Sequence, residues 1–196
     1  MHAAGIMQIA DFALVPFGNA YFSGVTNNTC FYGGSPPDCK AKTDPDAHSG
    51  SGTWYGLCGP SAREPKPAGC FTGPVLCQHG PNECTANLIE ACVVNLYPEG
   101  FWPFVACYEA TSIPRDPSKD PQAPFTQMEL CASKTNVLAA EIRACATDPT
   151  QSSALQLRTG MATLDLVPGH TGTPYILVGG TYAPKLLYFT TSSAAC

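Results

Sequence analysis

An α/β domain stapled by disulfides is the fold class that the sequence predicts, and three observations predict it. Apolar residues recur at three- and four-residue spacing through much of residues 83–160, the period of a helix packed on one face. Toward the two ends of the chain, short apolar runs bounded by turn residues, Asp11–Pro16 and Tyr175–Val178, read as strands. Eleven cysteines in 196 residues are more than a protein held in a reducing compartment ordinarily keeps. The length fits a single domain over residues 1–196, with decoration.

Composition excludes several functions. The ten Lys and Arg are scattered and the net charge is -5, so no basic surface for nucleic acid is expected. No run of apolar residues is long enough for a membrane-spanning helix. Asn27-Asn28-Thr29 is a sequon that makes Asn27 a candidate glycosylation site and fits a secretory route. Met1-His2-Ala3-Ala4-Gly5 lacks the basic head and apolar core of an export signal. A secreted-type body with such a start is expected to lack sequence that once stood before it. An odd number of cysteines leaves at least one without an intrachain partner, and the partner of Cys196 cannot be assigned from the chain.

The elements follow in order. Residues 6–17 read as the end of a helix running into a strand, closed by the turn signal Pro16-Phe-Gly18-Asn19. Residues 21–76 are rich in Gly, Pro, Ser and Thr and show no persistent period, so a long disulfide-rich loop is expected there, an insertion in the domain. Its cysteines, Cys30, Cys39, Cys58 and Cys70, allow two bridges in any of three connectivities. A mainly helical insertion over 83–160 is then expected, with helices at Glu83–Tyr97, Trp102–Ala110, Thr126–Ala132, Asn136–Thr147 and Thr150–Thr159. Pro98-Glu-Gly100 stops the first, and Asp148 with Pro149 starts the last. Gly179-Gly180 between Tyr175–Val178 and Thr181-Tyr182 reads as a hairpin turn.

The densest chemistry lies in Cys77-Gln78-His79-Gly80-Pro-Asn-Glu83-Cys84-Thr-Ala-Asn87-Leu-Ile-Glu-Ala-Cys92. Position for position this resembles CQHGxxECxxNxxxxC, the signature of the gamma-interferon-inducible lysosomal thiol reductase family. Two further blocks resemble the same family: Leu14–Ala20 is similar to its LVPYGNA element, and His170–Gly179 to its H-x-x-x-P-W-V-x-V-x-G element, with Tyr175 in place of Trp. The resemblance implies a thioredoxin-like fold and thiol-dependent reduction of disulfide-containing protein substrates, in lysosomes or outside the cell, without a bound cofactor. It also implies that the Thr173–Pro174 loop, whose proline is cis in thioredoxin-like proteins, meets the substrate. Oligomeric state is not implied either way.

The reaction of that family needs a CxxC at a helix N-terminus, where the dipole favours a thiolate and the second cysteine resolves the mixed disulfide. No two of the eleven cysteines stand three residues apart, so no catalytic residue is present. The resemblance places the first strand and active-site helix upstream of Met1, which makes this chain by itself an expected non-reductase. The alternative function is a secreted, disulfide-stapled binding module without enzymatic activity.

Several uses of the signature cysteines remain open. On a continuous helix Cys84 and Cys92 are eight residues apart, about 12 Å, too far for a mutual bridge. Cys77 can reach Cys84 across the Gln78–Pro81 turn, and Cys92 can meet Cys107 on the next helix, as structural disulfides. A redox-active pair within the signature is a second use. A zinc site through Cys77, His79 and Cys84 is a third, against which stands the lack of a fourth ligand. Glu83 is expected to cap the helix, His79 to hydrogen-bond within the turn, and Asn87 to bond backbone.

Overall fold

The structure, a computed structural model, describes residues 13–25, 50–111, 113, 120–166, 169, 173 and 175–183. Asn27, Cys30, Cys39, His170, Pro174 and Cys196, like the segment before Ala13, lie outside the described residues.

Six helices dominate the described residues: α1 Gly50–Cys58, α2 Pro81–Leu96, α3 Phe101–Glu109, α4 Ala123–Ala132, α5 Ala139–Thr147 and α6 Pro149–Leu164. Four two-residue strands make two separate antiparallel ladders. Strand β1 (Tyr21–Phe22) pairs with β2 (Val75–Leu76), Tyr21 opposite Leu76, and β3 (Leu177–Val178) pairs with β4 (Thr181–Tyr182) around Gly179-Gly180. Both turn glycines have positive φ, 56° and 78°, which suits them to the two central positions of the hairpin. Tyr175 stacks on Tyr182 with ring centroids 4.4 Å apart. The described strands therefore belong to an α/β chain that is mainly helical, and they form no central thioredoxin-like sheet among the described residues.

Three local expectations change. Residues 13–15 are irregular rather than a strand, and the chain becomes extended only at Tyr21, after the Pro16–Asn19 turn. The composition of residues 21–76 predicts an irregular loop, yet the segment contains α1, β1 and β2. The reason is Trp54: it is fully buried, its Nε1–H donates to the Cys70 carbonyl at 2.6 Å, and its ring lies 5.8 Å from Phe17 and 5.9 Å from Phe22. A single indole with a satisfied N–H supplies enough apolar area to order a glycine-rich helix. The last helix runs five residues beyond Thr159, to Leu164, because Thr159 and Thr163 bond their hydroxyls back to the carbonyls of Leu155 and Thr159 and fit among buried neighbours.

Two cores result. The smaller joins Phe17, Tyr21, Phe22, Trp54, Leu76 and Leu164. Gly160 of α6 abuts it closely, since a Cβ there would lie 2.8 Å from the Phe22 ring and 3.1 Å from that of Phe17. The larger is a helical bundle in which α2 packs against α3, α4, α5 and α6. Every residue from Leu88 to Val93 is buried, more than one and a half turns, so α2 has no solvent face there.

That run includes Glu90, which is 5% exposed. Its carboxyl hydrogen-bonds to that of Glu109 on α3, while its Oε1 has no hydrogen-bond partner among the described residues. Burial, then the Glu109 charge and the hydrogen bond to it, push the Glu90 pKa well above the usual carboxylate range. Tyr108, also on α3, feels both carboxyls and is pushed up mainly by its own burial; its hydroxyl donates to the Pro124 carbonyl at 3.0 Å. The nearby charges of the other packed helices are engaged elsewhere: Arg143 on α5 pairs with Glu129 on α4 at 2.7 Å, and Glu141 accepts from Tyr97.

Asp148 caps α6 by accepting from the backbone N–H groups of Thr150 and Gln151, with Pro149 at the first helical position. Asp148→Ala is expected to lower stability by about 1 kcal/mol in urea unfolding. Glu90 gives a pH signature. A folded pKa above the unfolded one means that the contribution of Glu90 is full below the unfolded carboxylate range and is lost as pH rises through the folded value. Within that window wild-type stability should fall by up to about 1.4 kcal/mol per pH unit more steeply than that of Glu90→Gln. Parallel stability–pH curves would contradict this.

Candidate functional site

Gly80 starts the site. Its φ of 105° is a conformation that side-chain-bearing residues avoid, and it lets the chain turn sharply from β2 into Pro81, the first residue of α2. The Gly80 N–H closes the turn on the Cys77 carbonyl at 3.2 Å. Cys77 and Cys84 are joined, with Cα atoms 5.5 Å apart, so the turn is crosslinked to the first turn of the helix. Glu83 accepts from the His79 backbone N–H, and the His79 Nδ1 lies 3.2 Å from the same carboxylate oxygen. The carboxylate thus serves both the helix start and the turn before it.

The Pro16–Asn19 turn lies against this corner. Asn87, nearly two turns into α2, donates through Nδ2 to the Phe17 carbonyl at 3.2 Å. Asn19 Nδ2 donates to Gln78 Oε1 at 2.8 Å. Gly18, with φ of 60°, sits beside Thr173: a Cβ at position 18 would lie 3.4 Å from the Thr173 Cγ2. Residues far apart in sequence, Pro16–Asn19, Gln78–Asn87 and Thr173, therefore meet at one corner. Beside it, Leu14–Pro16, α2 and α6 enclose a groove of about 450 Å³ whose wall includes Val94 and Arg158.

Cysteine pairing departs from expectation at Cys92. Cys92 does not meet Cys107; it bridges to Cys145 of α5 (Cα atoms 6.0 Å apart), and Cys107 bridges to Cys131 of α4 (5.7 Å). The physical reason is that α2 lies centrally, so its buried C-terminal half faces α5, while α3 packs on α4 and carries Cys107 against it. Neither Cys131 nor Cys145 stands out in the sequence, because a lone cysteine in a helical period looks like any small apolar residue. Cys58 and Cys70 are bridged to each other. With Cys77 and Cys84 disulfide-bonded, neither offers a thiolate for zinc, and the described residues contain no cluster of three or more His, Cys, Asp or Glu placed to hold a metal.

Residues 62–135 match the family model of the Gamma interferon inducible lysosomal thiol reductase (GILT). Over that stretch the chain is similar to this family. The match contains the whole Cys77–Cys92 signature and also residues 62–76, the end of the segment whose composition reads as an insertion. Leu14–Ala20 and Thr173 lie outside it; Phe17 and Asn19 bond to Asn87 and Gln78 of the GILT signature, and Thr173 lies beside Gly18. No curated protein matches the chain. No helix among the described residues is long and apolar enough to cross a membrane.

Asn87 holds the corner more firmly than Gln78 does, because its bond is half-buried and Gln78 is exposed. Asn87→Ala is expected to cost about 1–2 kcal/mol in chemical unfolding, for the Phe17 carbonyl loses its partner. Gln78→Ala should cost under about 0.5 kcal/mol. Equal losses would show that the corner is not held as drawn.

Proposed function

We propose that this chain serves the thiol-dependent reduction of disulfide-containing protein substrates, with the nucleophilic CxxC lying upstream of the sequence given. The chain itself supplies the substrate side of the reaction. One observation carries the reading: Pro16–Asn19, the GILT signature and Thr173 meet at one corner, although 70 residues separate Phe17 from Asn87. Three segments that resemble one family are thereby neighbours in space as well as similar in sequence.

In this reading the chain has a thioredoxin-like core into which the helical bundle is inserted, and the strand and helix that precede Leu14 bring the reactive thiolate to the corner. The Thr173–Pro174 loop accepts an extended, cysteine-bearing peptide through backbone hydrogen bonds, the recognition mode of a strand added to an exposed edge. The thiolate attacks a substrate sulfur, and the second cysteine of the CxxC releases the reduced substrate. No cofactor is required, since electrons come from a dithiol. Lysosomal or secreted residence, with glycosylation at Asn27, suits both the disulfides and the name of the family.

An insulin-reduction assay at acid pH tests this on two proteins, the chain as given and one extended N-terminally by a CxxC-bearing segment. Reduction by the extended protein alone is the expected result. Reduction by the chain as given would overturn the placement of the nucleophile. Silence from both would leave the disulfide-stapled binding module as the function.

A further inference from the structure

We infer that Cys77–Cys84 is an exchangeable disulfide, opened by a dithiol reductant while the surrounding fold persists, and that its state controls the Gln78–Gly80 turn. The inference does not depend on whether the chain takes part in reducing other proteins.

The four bridges among the described residues differ in what they hold. Cys77 and Cys84 are 7 residues apart, against 12 for Cys58–Cys70, 24 for Cys107–Cys131 and 53 for Cys92–Cys145. The constraint that a bridge places on the unfolded chain grows with loop length to about the 3/2 power. Opening Cys77–Cys84 thus disturbs the folding equilibrium about 20-fold less than opening Cys92–Cys145. It also releases no helix from another, since its two ends belong to one turn and the helix start that follows.

Access points the same way. Cys92, Cys131 and Cys145 are 0%, 0% and 2% exposed, and Cys58 and Cys70 are buried in the Trp54 core. An attacking thiolate cannot reach them without opening the fold. Cys84 and Cys107 are the half-buried ones, and the bridge of Cys107 ties α3 to α4 across a longer loop. That leaves Cys84, half-buried beside a buried Cys77, as the cysteine that can be approached at least structural cost.

The exchange balances as a two-electron transfer from a dithiol. One thiolate of the reductant attacks the Cys84 Sγ, the Cys77–Cys84 bond breaks, and Cys77 leaves as a thiolate that takes up a proton. The second thiol of the reductant, deprotonated, attacks its own sulfur in the mixed disulfide and expels Cys84. The reductant ends as a disulfide, and both cysteines end as thiols. Cys84 is the fourth residue of α2, so its departing thiolate forms where the N-terminal N–H groups favour negative charge. Once protonated, its Sγ has an acceptor in place, the Val75 carbonyl oxygen 3.5 Å away. The site accommodates both redox states without moving β2. What is freed is the turn, held after opening by hydrogen bonds, among them Gly80 on the Cys77 carbonyl, Asn19 on Gln78 and His79 on the Glu83 carboxylate.

The test titrates the folded chain with dithiothreitol, quenches with an alkylating agent, and maps the labelled cysteines alongside far-UV circular dichroism. Cys77 and Cys84 should be labelled together, at lower dithiol than Cys107 and Cys131, with helical signal unchanged. Labelling of another described pair first would overturn the inference, as would opening of all four pairs together with loss of helix. The double variant Cys77→Ser, Cys84→Ser supplies a second readout: it should fold, and its His79 amide should exchange faster than in the oxidised chain, as it does in the reduced one. Failure of that variant to fold, or an unchanged exchange rate, would also overturn it.

Discussion

The burial of α2 on all sides is the constraint on which the remaining structure depends. A helix with one apolar stripe can sit on a surface, but Leu88–Val93 leaves no face for water, and only a ring of neighbours can satisfy it. Helices α3, α4, α5 and α6 supply that ring. Their order follows from short connections: α5 and α6 are separated by Asp148 alone, and Tyr97 and the Pro98–Gly100 turn separate α2 from α3. The Cys92–Cys145 bridge then locks the centre of the ring to α5, and over a 53-residue interval such a crosslink is worth about 4 kcal/mol by loop entropy.

A carboxyl in that centre demands its own explanation. Glu90 could be an apolar residue if packing alone mattered, since an unpaired buried carboxylate is costly. Held neutral, it instead donates or accepts one hydrogen bond with Glu109 and makes α3 sensitive to protons. The contribution of Glu90 to the bundle is therefore greatest where its own carboxyl is protonated.

Much of this was legible in residues. Asp148-Pro149 announces its helix because the cap and the fixed proline φ are local chemistry, and the structure shows the Asp148 side chain on two backbone N–H groups. Gly179-Gly180 announces the hairpin for the same kind of reason. The Cys77–Cys84 bridge was within reach of spacing alone, because a turn brings its ends together. Cys92–Cys145 and Cys107–Cys131 were not, because they depend on which helix faces which, and periodicity reports a face without naming its partner. Helix α1 was hidden for a different reason. Its three glycines have poor helix propensity, and Trp54 overrides them only through contacts with Phe17 and Phe22 that lie more than thirty residues away. The corner at Pro16–Asn19 was half legible: the three blocks could be recognised separately, while their contact through Asn87 and Gln78 required the fold.

These points divide the signature into two parts with different physics. From Leu88 to Cys92 it is core, where change is limited by volume and by the Cys145 bridge. From Cys77 to Asn87 it is a surface corner, where Gly80 sets the turn, Glu83 holds it, and Asn87 fastens the Pro16–Asn19 segment. The spacing from Cys84 to Cys92 joins the two, for eight residues of helix carry the chain from the edge to the centre of the bundle. A rigid centre is what allows the corner to be adjustable. With α2 immobilised by its neighbours, opening a bridge at its first turn alters the turn and leaves the helix in place. A fold in which α2 were peripheral could not separate those two effects.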